Sequence, residues 1–201
     1  MPFTLKYAGE TDVDLLPFGG MEMNGDVRLN QGEAVARLSV NGLTEVYQYG
    51  THLVTLDDQF TFKVCSLPGM VLLKLIAYDD RPEHRVKDLT DIAFILKNYE
   101  HIIGDELYDV HHDLLETLVS LEHVAARILG RHIHPLLEPS PELRERVERI
   151  LDQAIADGPE GKIIRQLHSA QYSVLPLEQV LDLLQQVRHG LDDHTTTVSA
   201  D

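Results

Sequence analysis

The chain predicts an α+β fold, with a mostly β first third and an all-helical remainder. Three observations carry this. Up to Cys65, apolar and polar residues alternate at a period of two, punctuated by Asn-Gly, Asp-Asp and Gly-Gly pairs. From Ser66 onward the apolar residues recur every three or four positions, the spacing of one helix face. The later segments are also bounded by helix caps and stops, at Ser66-Leu67-Pro68, Ser140-Pro141, Gly158-Pro159 and Pro176.

The elements follow in order. Residues 3–7 form a short run with aromatic ends. Residues 12–18 follow, with Val13 and Leu15 on one face and Asp12 and Asp14 on the other. Asn24-Gly25, between Met21-Glu22-Met23 and Val27-Arg28-Leu29, is a hairpin signal, because Asn and Gly tolerate positive φ. Residues 34–40 alternate and end at Asn41-Gly42. Residues 45–49 read as a short helix closed by Gly50. Residues 51–56 and 60–64 alternate around Asp57-Asp58-Gln59, which predicts a second hairpin.

The period then changes. Ser66 suits an N-cap and Pro68 the first turn of a helix reaching about residue 78. Met70, Leu72, Leu73, Leu75 and Ile76 make that helix apolar almost all round, so it should be central and buried. Pro82 breaks the chain. A helix over 83–99 carries Val86, Leu89, Ile92, Ala93 and Leu96 as its core stripe. Further helices are expected over 106–129 (closed by Gly130), 141–157, 160–170 and 177–189 (stopped by Gly190). This divides the chain into a mostly β part (1–65), a helical part (66–190) and a polar tail (191–201) expected to be disordered.

Composition bounds the function. A chain of 201 residues, 43% hydrophobic and 25% charged, can bury one good core with a helical annex. No apolar run is long enough to span a bilayer, and the first residues lack the pattern of a signal peptide. A single cysteine, Cys65, excludes an intramolecular disulfide and a Cys-based zinc cluster, and makes a reducing, cytoplasmic setting the expectation. Cys65 itself reads as a small core hydrophobe. The net charge of −16 opposes non-specific nucleic-acid binding, which depends on Lys and Arg releasing phosphate counterions. The 11 histidines are densest at His111-His112 and His132-Ile133-His134. Without a Cys partner or a His-Glu-x-x-His pattern, they are expected to be scattered surface residues. No phosphate-binding loop, nucleophile elbow or dinucleotide fingerprint is present.

A few polar residues stand where core packing does not ask for them. Lys74 lies inside the apolar helix; alone it would be a snorkelling lysine. Arg85, Lys87, Asp88 and Asp91 share the polar side of the next helix, where solvated ion pairs are the plain reading. The alternative is functional: Lys74 and Lys87 would meet nucleotide phosphates, while Asp88 orients a lysine or a metal-bound water. Asp12 and Asp14 share one strand face, which is either a polar edge or the start of a carboxylate site for divalent metal.

Three segments carry a resemblance. They are Val13-Asp-Leu-Leu-Pro-Phe-Gly-Gly-Met-Glu22, Phe62-Lys-Val-Cys-Ser-Leu-Pro-Gly-Met-Val-Leu-Leu-Lys-Leu-Ile-Ala-Tyr-Asp-Asp-Arg-Pro82 and Arg85-Val-Lys-Asp-Leu-Thr-Asp-Ile-Ala93. Together they resemble a bacterial family of nucleotidyltransferases related to the abortive-infection (AbiEii-like) toxin enzymes of the polymerase-β-type superfamily. The likeness covers roughly residues 3–99, and more weakly the helices through 151, including Ala126-Arg-Ile-Leu-Gly-Arg131. The resemblance implies part of a mixed nucleotidyltransferase sheet with hairpins, followed by helices. It implies Mg²⁺-dependent transfer of a nucleoside monophosphate from an NTP to an acceptor it does not identify. By the same resemblance Asp14, with Asp12 beside it, is a metal ligand. Lys74 contacts the triphosphate, Arg81 and Lys87 add basic contacts, and Asp88, with Arg85 and Asp91, supports the lysine.

The family also places a Gly-Gly or Gly-Ser turn and an Asp-x-Asp pair before the strand matching Asp14, and the stretch preceding Asp14 holds neither. The resemblance therefore implies weak or absent turnover unless another chain supplies the rest. A different class of function follows from the same gap: a catalytically incomplete homologue that recruits a second copy or a cognate protein partner through an uncovered sheet.

Overall fold

A computed structural model describes residues 4–23, 25–31, 34–118, 120–172 and 174–193. The α+β class holds, with hairpins leading into a helical C-terminal part. The elements are β1 (Thr4–Tyr7), β2 (Thr11–Asp14), a 3₁₀ turn (Gly19–Met21), β3 (Asp26–Gln31), β4 (Ala34–Ser39), α1 (Leu43–Tyr49), β5 (Thr51–Leu56) and β6 (Phe60–Cys65). The helical part comprises α2 (Leu67–Asp80), α3 (Val86–Ile103), α4 (Glu106–Asp109), α5 (His112–Leu115), α6 (Leu121–Leu137), α7 (Pro141–Ala156), α8 (Lys162–Leu167), a π-helical turn (His168–Tyr172) and α9 (Leu177–Gly190).

Among the described residues the strands do not join into a mixed sheet. They form three separate antiparallel pairs, β1–β2, β3–β4 and β5–β6. Each pair joins strands that are neighbours in sequence, whereas a mixed sheet needs a parallel pair and therefore a long crossover. Strand β2 stops at Asp14 rather than running to residue 18; Pro17, with no N–H to donate, lies just beyond. The Asn24-Gly25 signal also resolves differently. Gly25 has φ 76°, but the turn closes only one bridge, Met23 to Asp26, and the strand starting there pairs forward with β4. Asn24 itself lies outside the described residues.

The core sits among the helices. Helix α2 is central, with Leu72 fully buried and Val71, Leu75 and Ile76 close to it. Its start is set as the sequence predicts: Ser66 Oγ accepts from the Gly69 N–H at 3.2 Å and Pro68 occupies the first turn. Helix α7 is tied to the end of α2 by Arg146, which donates to Asp79 and Asp80, and by Arg149, which donates to Asp79.

The expected long helix over 106–129 is instead three. The chain breaks after α4 and α5, and α6 starts at a new cap, where Ser120 Oγ accepts from the His123 N–H at 3.4 Å. Helix α6 then runs straight through Gly130. That glycine is a contact point rather than a stop. A Cβ on Gly130 would lie 2.2 Å from the Val187 carbonyl, and one on Gly190 would lie 2.1 Å from the Arg127 carbonyl. Helices α6 and α9 thus cross backbone to backbone, and only hydrogen side chains fit. The crossing continues past α9. Leu191 is fully buried, and Asp193 accepts from Arg127 Nε at 2.8 Å and from Arg131 Nε at 2.6 Å. Burial alone would raise the Asp193 pKa, but the bonds from Arg127 and Arg131 more than offset it and hold it below the ordinary carboxylate range. Residues 191–193 therefore belong to the packed body rather than to a polar tail; 194–201 lie outside the described residues. Among the described residues no helix is long and apolar enough to cross a membrane.

The close crossing predicts a strong, local sensitivity. Gly130→Ala should destabilise the chain by about 3 kcal/mol, because the methyl meets backbone that cannot rotate away. Gly20→Ala, at a glycine with nothing within 4 Å, should stay within about 0.5 kcal/mol of the parent. Equilibrium urea unfolding of the two variants checks both.

Candidate functional site

Two polar constellations stand out. The first lies where α2 meets the start of α3. Lys74 projects from the third turn of α2, and burial alone would lower its pKa. Hydrogen bonds from its Nζ to Asp91 Oδ2 at 2.6 Å and Asp88 Oδ1 at 3.0 Å reverse that and raise it, so the ammonium stays charged. Asp88 is in the first turn of α3 and is buried, at 8% exposed. Its other oxygen, Oδ2, has no hydrogen-bond partner among the described residues, and Arg85 Nη1 stands 3.6 Å away, too far for a bond. Lys74, Arg81, Arg85 and Asp88 line one cleft of about 250 Å³, whose wall also includes Ser39 at the end of β4 and Asn41 from the β4–α1 connection. Arg81 makes no ion pair among the described residues. Asp80, also on the cleft wall, is tied to Arg146 at 2.6 Å.

The structure thus brings together Lys74, Arg81, Arg85, Asp88 and, through Lys74, Asp91. It does not bring Asp12, Asp14 or Lys87 to the cleft. Asp14 accepts from Thr4 Oγ1 at 2.5 Å and Asp12 pairs with Lys6 at 2.8 Å, each with its cross-strand neighbour in the β1–β2 hairpin. Leu16, two residues beyond Asp14, does reach the cleft wall. Lys87 is exposed on α3 and makes no ion pair among the described residues.

The second constellation was not legible as a site. His111 is 3% exposed and His134 is 9% exposed, so these histidines are buried rather than scattered over the surface. His134 Nδ1 donates to the Leu191 carbonyl at 2.6 Å, part of the α6–α9 seam. His111, His132 and Glu106 cluster, with donor atoms within 4.8 Å of one another. His132 Nε2 lies 2.8 Å from Glu106 Oε1, and its Nδ1 lies 2.7 Å from the Tyr99 hydroxyl. Burial, then the Glu106 carboxylate, push the Tyr99 phenol well above its ordinary pKa, so it stays neutral.

Arg131 Nη1 donates to His111 Nδ1 at 3.2 Å. A guanidinium cannot accept, so the neutral ring of His111 carries its proton on Nε2. Burial, then His132 and Arg131, lower the His111 pKa and keep the ring neutral. Nε2 is buried, faces Glu106 Oε1 at 3.5 Å and has no hydrogen-bond partner among the described residues. Glu106 and His132 line an adjoining cavity of about 570 Å³, whose wall also includes His52, Cys65 and Tyr99. Cys65 packs against the core and burial raises its pKa, in keeping with a small hydrophobe. The nearest signals in the sequence were the two dense histidine spots, but Glu106 and His111 precede α6 while His132 lies on it, so no local spacing links the three.

Comparison with models of protein families, with curated proteins and with solved structures finds no match.

The cleft separates structural from exposed charge. Lys74→Met removes the hydrogen-bonded cation of the buried Asp88 carboxylate, leaving only Arg85 at 3.6 Å, and should cost about 3 kcal/mol. Lys87→Met should change stability by less than about 0.5 kcal/mol. Thermal and urea unfolding of both variants at neutral pH provide the check.

Proposed function

We propose that this chain is a nucleotidyltransferase-like protein whose cleft between α2 and α3 receives the phosphate chain of a nucleoside triphosphate. One observation carries the reading: Lys74, Arg81 and Arg85 gather on a single cleft, beside Asp88 and an Asp80 already held by Arg146, in a chain whose net charge is −16. Phosphate oxygens are acceptors only, and a cationic, partly desolvated recess is what binds them. Arg81 and Arg85 supply planar forks for two phosphates, while Lys74, held by Asp88 and Asp91, adds a positioned point charge. The free Oδ2 of Asp88 suits a donor, such as a water on a phosphate-bound Mg²⁺. The cleft volume of about 250 Å³ suits the phosphates and leaves the base outside. The family resemblance points the same way. Asp12 and Asp14 lie in the hairpin rather than on the cleft, so in this arrangement binding precedes any efficient transfer, and turnover by this chain is weak or absent. The acceptor is unassigned. A cytoplasmic setting, which keeps Cys65 reduced, is part of the same proposal.

Calorimetric titration with Mg²⁺-ATP, Mg²⁺-GTP and inorganic triphosphate tests this. Binding should be salt-sensitive, fall at least fivefold in Arg81→Ala and Arg85→Ala, and be unchanged in Lys87→Ala. No binding of any of the three ligands would remove the reading.

A second reading, an interaction or oligomerisation protein, is favoured by the β5–β6 hairpin. Its register places Val54, Leu56, Phe60, Phe62 and Val64 on one face, and they are 39% to 64% exposed. An apolar sheet face of that kind is a common contact surface between proteins. Light scattering should show a dimer at micromolar concentration that Phe62→Lys dissociates. A parent chain that stays monomeric over the same range would rule out self-association through this face.

A further inference from the structure

Beyond the nucleotide cleft, the cluster behind α6 calls for a ligand of its own. Glu106 opens α4, His111 follows it in the turn before α5, and His132 lies on α6. These three side chains present one carboxylate oxygen and two imidazole nitrogens to a common point, all within 4.8 Å of one another. We propose that Glu106, His111 and His132 bind a divalent transition metal of the zinc class, with a further coordination position open to the adjoining cavity.

Three observations support the assignment. First, His111 Nε2 is a buried polar atom with no hydrogen-bond partner among the described residues, aimed at Glu106. Such atoms are costly and rare, an ion or an ordered water being the usual partner, and an ion can bind this nitrogen once its proton has moved to Nδ1. Second, the spacing fits. Bonds of about 2.0–2.1 Å in a tetrahedral site place neighbouring donors about 3.3 Å apart. His111 Nε2 and Glu106 Oε1 are 3.5 Å apart. The 2.8 Å contact of His132 with Glu106 needs only to open slightly as the ion replaces the hydrogen bond. Third, the outer partner of His132 suits ligation. Tyr99 holds His132 through Nδ1, which fixes the ring with Nε2 toward Glu106.

The protons balance on loading. The His132 proton moves from Nε2 to Nδ1, where the Tyr99 oxygen accepts it. The His111 proton must also move from Nε2 to Nδ1, where it meets the Arg131 Nη1 donor rather than an acceptor, so Arg131 gives up its 3.2 Å bond and keeps Asp113 and Asp193, a reorganisation that loading has to offset. Two imidazoles and one carboxylate favour zinc, cobalt, nickel or iron(II) over the all-oxygen shells of magnesium and calcium. Glu106 and His132 line the 570 Å³ cavity, so water or a small anion can complete the shell from that side. The site is independent of the cleft and of any Mg²⁺ held there.

The full chain, stripped with chelator, should bind one Zn²⁺ in calorimetric titration and give no saturable heat with Mg²⁺ or Ca²⁺ at the same concentrations. Co²⁺ should give the visible absorption of a four- or five-coordinate centre. Glu106→Gln and His132→Gln should each weaken Zn²⁺ at least tenfold, whereas the exposed His84→Ala should not. His111→Asn should do the same; because His111 is buried, Glu106→Gln, at a partly exposed position, carries the test if the His111 variant does not fold by circular dichroism. The proposal falls if the folded parent takes up no stoichiometric Zn²⁺, or if folded Glu106→Gln and His132→Gln bind it as tightly as the parent.

Discussion

The backbone-to-backbone crossing of α6 and α9 at Gly130 and Gly190 is the constraint on which much of the helical part depends. It brings the two helices close enough for Arg127 and Arg131 to share Asp193, and for His134 to reach the Leu191 carbonyl. With α6 held in that position, Arg131 can span from Asp193 to Asp113 and His111, and His132, the next residue, faces Tyr99 and Glu106. The histidine cluster is therefore a consequence of how tightly two helices meet. Shift α6 outward by the width of a methyl group and both the arginine bridge and the cluster lose their registration.

A different balance governs the meeting of α2 and α3. An ammonium inside an apolar helix is unfavourable unless carboxylates answer it, and Asp88 and Asp91 do so from successive turns of α3. The result is one arrangement with two consequences. It pins α3 to the central helix, and it leaves Asp88 Oδ2 beside Arg85 on the wall of a cleft. The two carboxylates restrict the position of the lysine on the cleft wall while the cleft itself stays open.

The β part follows weaker rules. Each hairpin pairs only the backbone groups between its own two strands, and the outer two leave most of their side chains in solvent. Only the middle hairpin buries a small cluster, Val27 and Val40 with Phe18, Leu38 and Leu43 around them. Two-stranded sheets gain little from burial, so alternation in sequence there specifies which residues share a face without specifying what the face packs against.

Local chemistry alone settled the α+β class, the hairpin over β5 and β6, the Ser66 cap and the buried character of α2. Those features depend on period, on caps and on neighbours a few residues or one turn of chain away. Three-dimensional packing decided the rest. It turned Gly130 from a stop into a contact, divided the helix expected over 106–129, kept the strands as separate pairs, held Asp12 and Asp14 in a hairpin, and joined Glu106, His111 and His132. Each of these depends on groups distant in sequence meeting at a few ångströms. Period and propensity carry no information about such meetings, because they record which face a residue takes and not which partner that face will find.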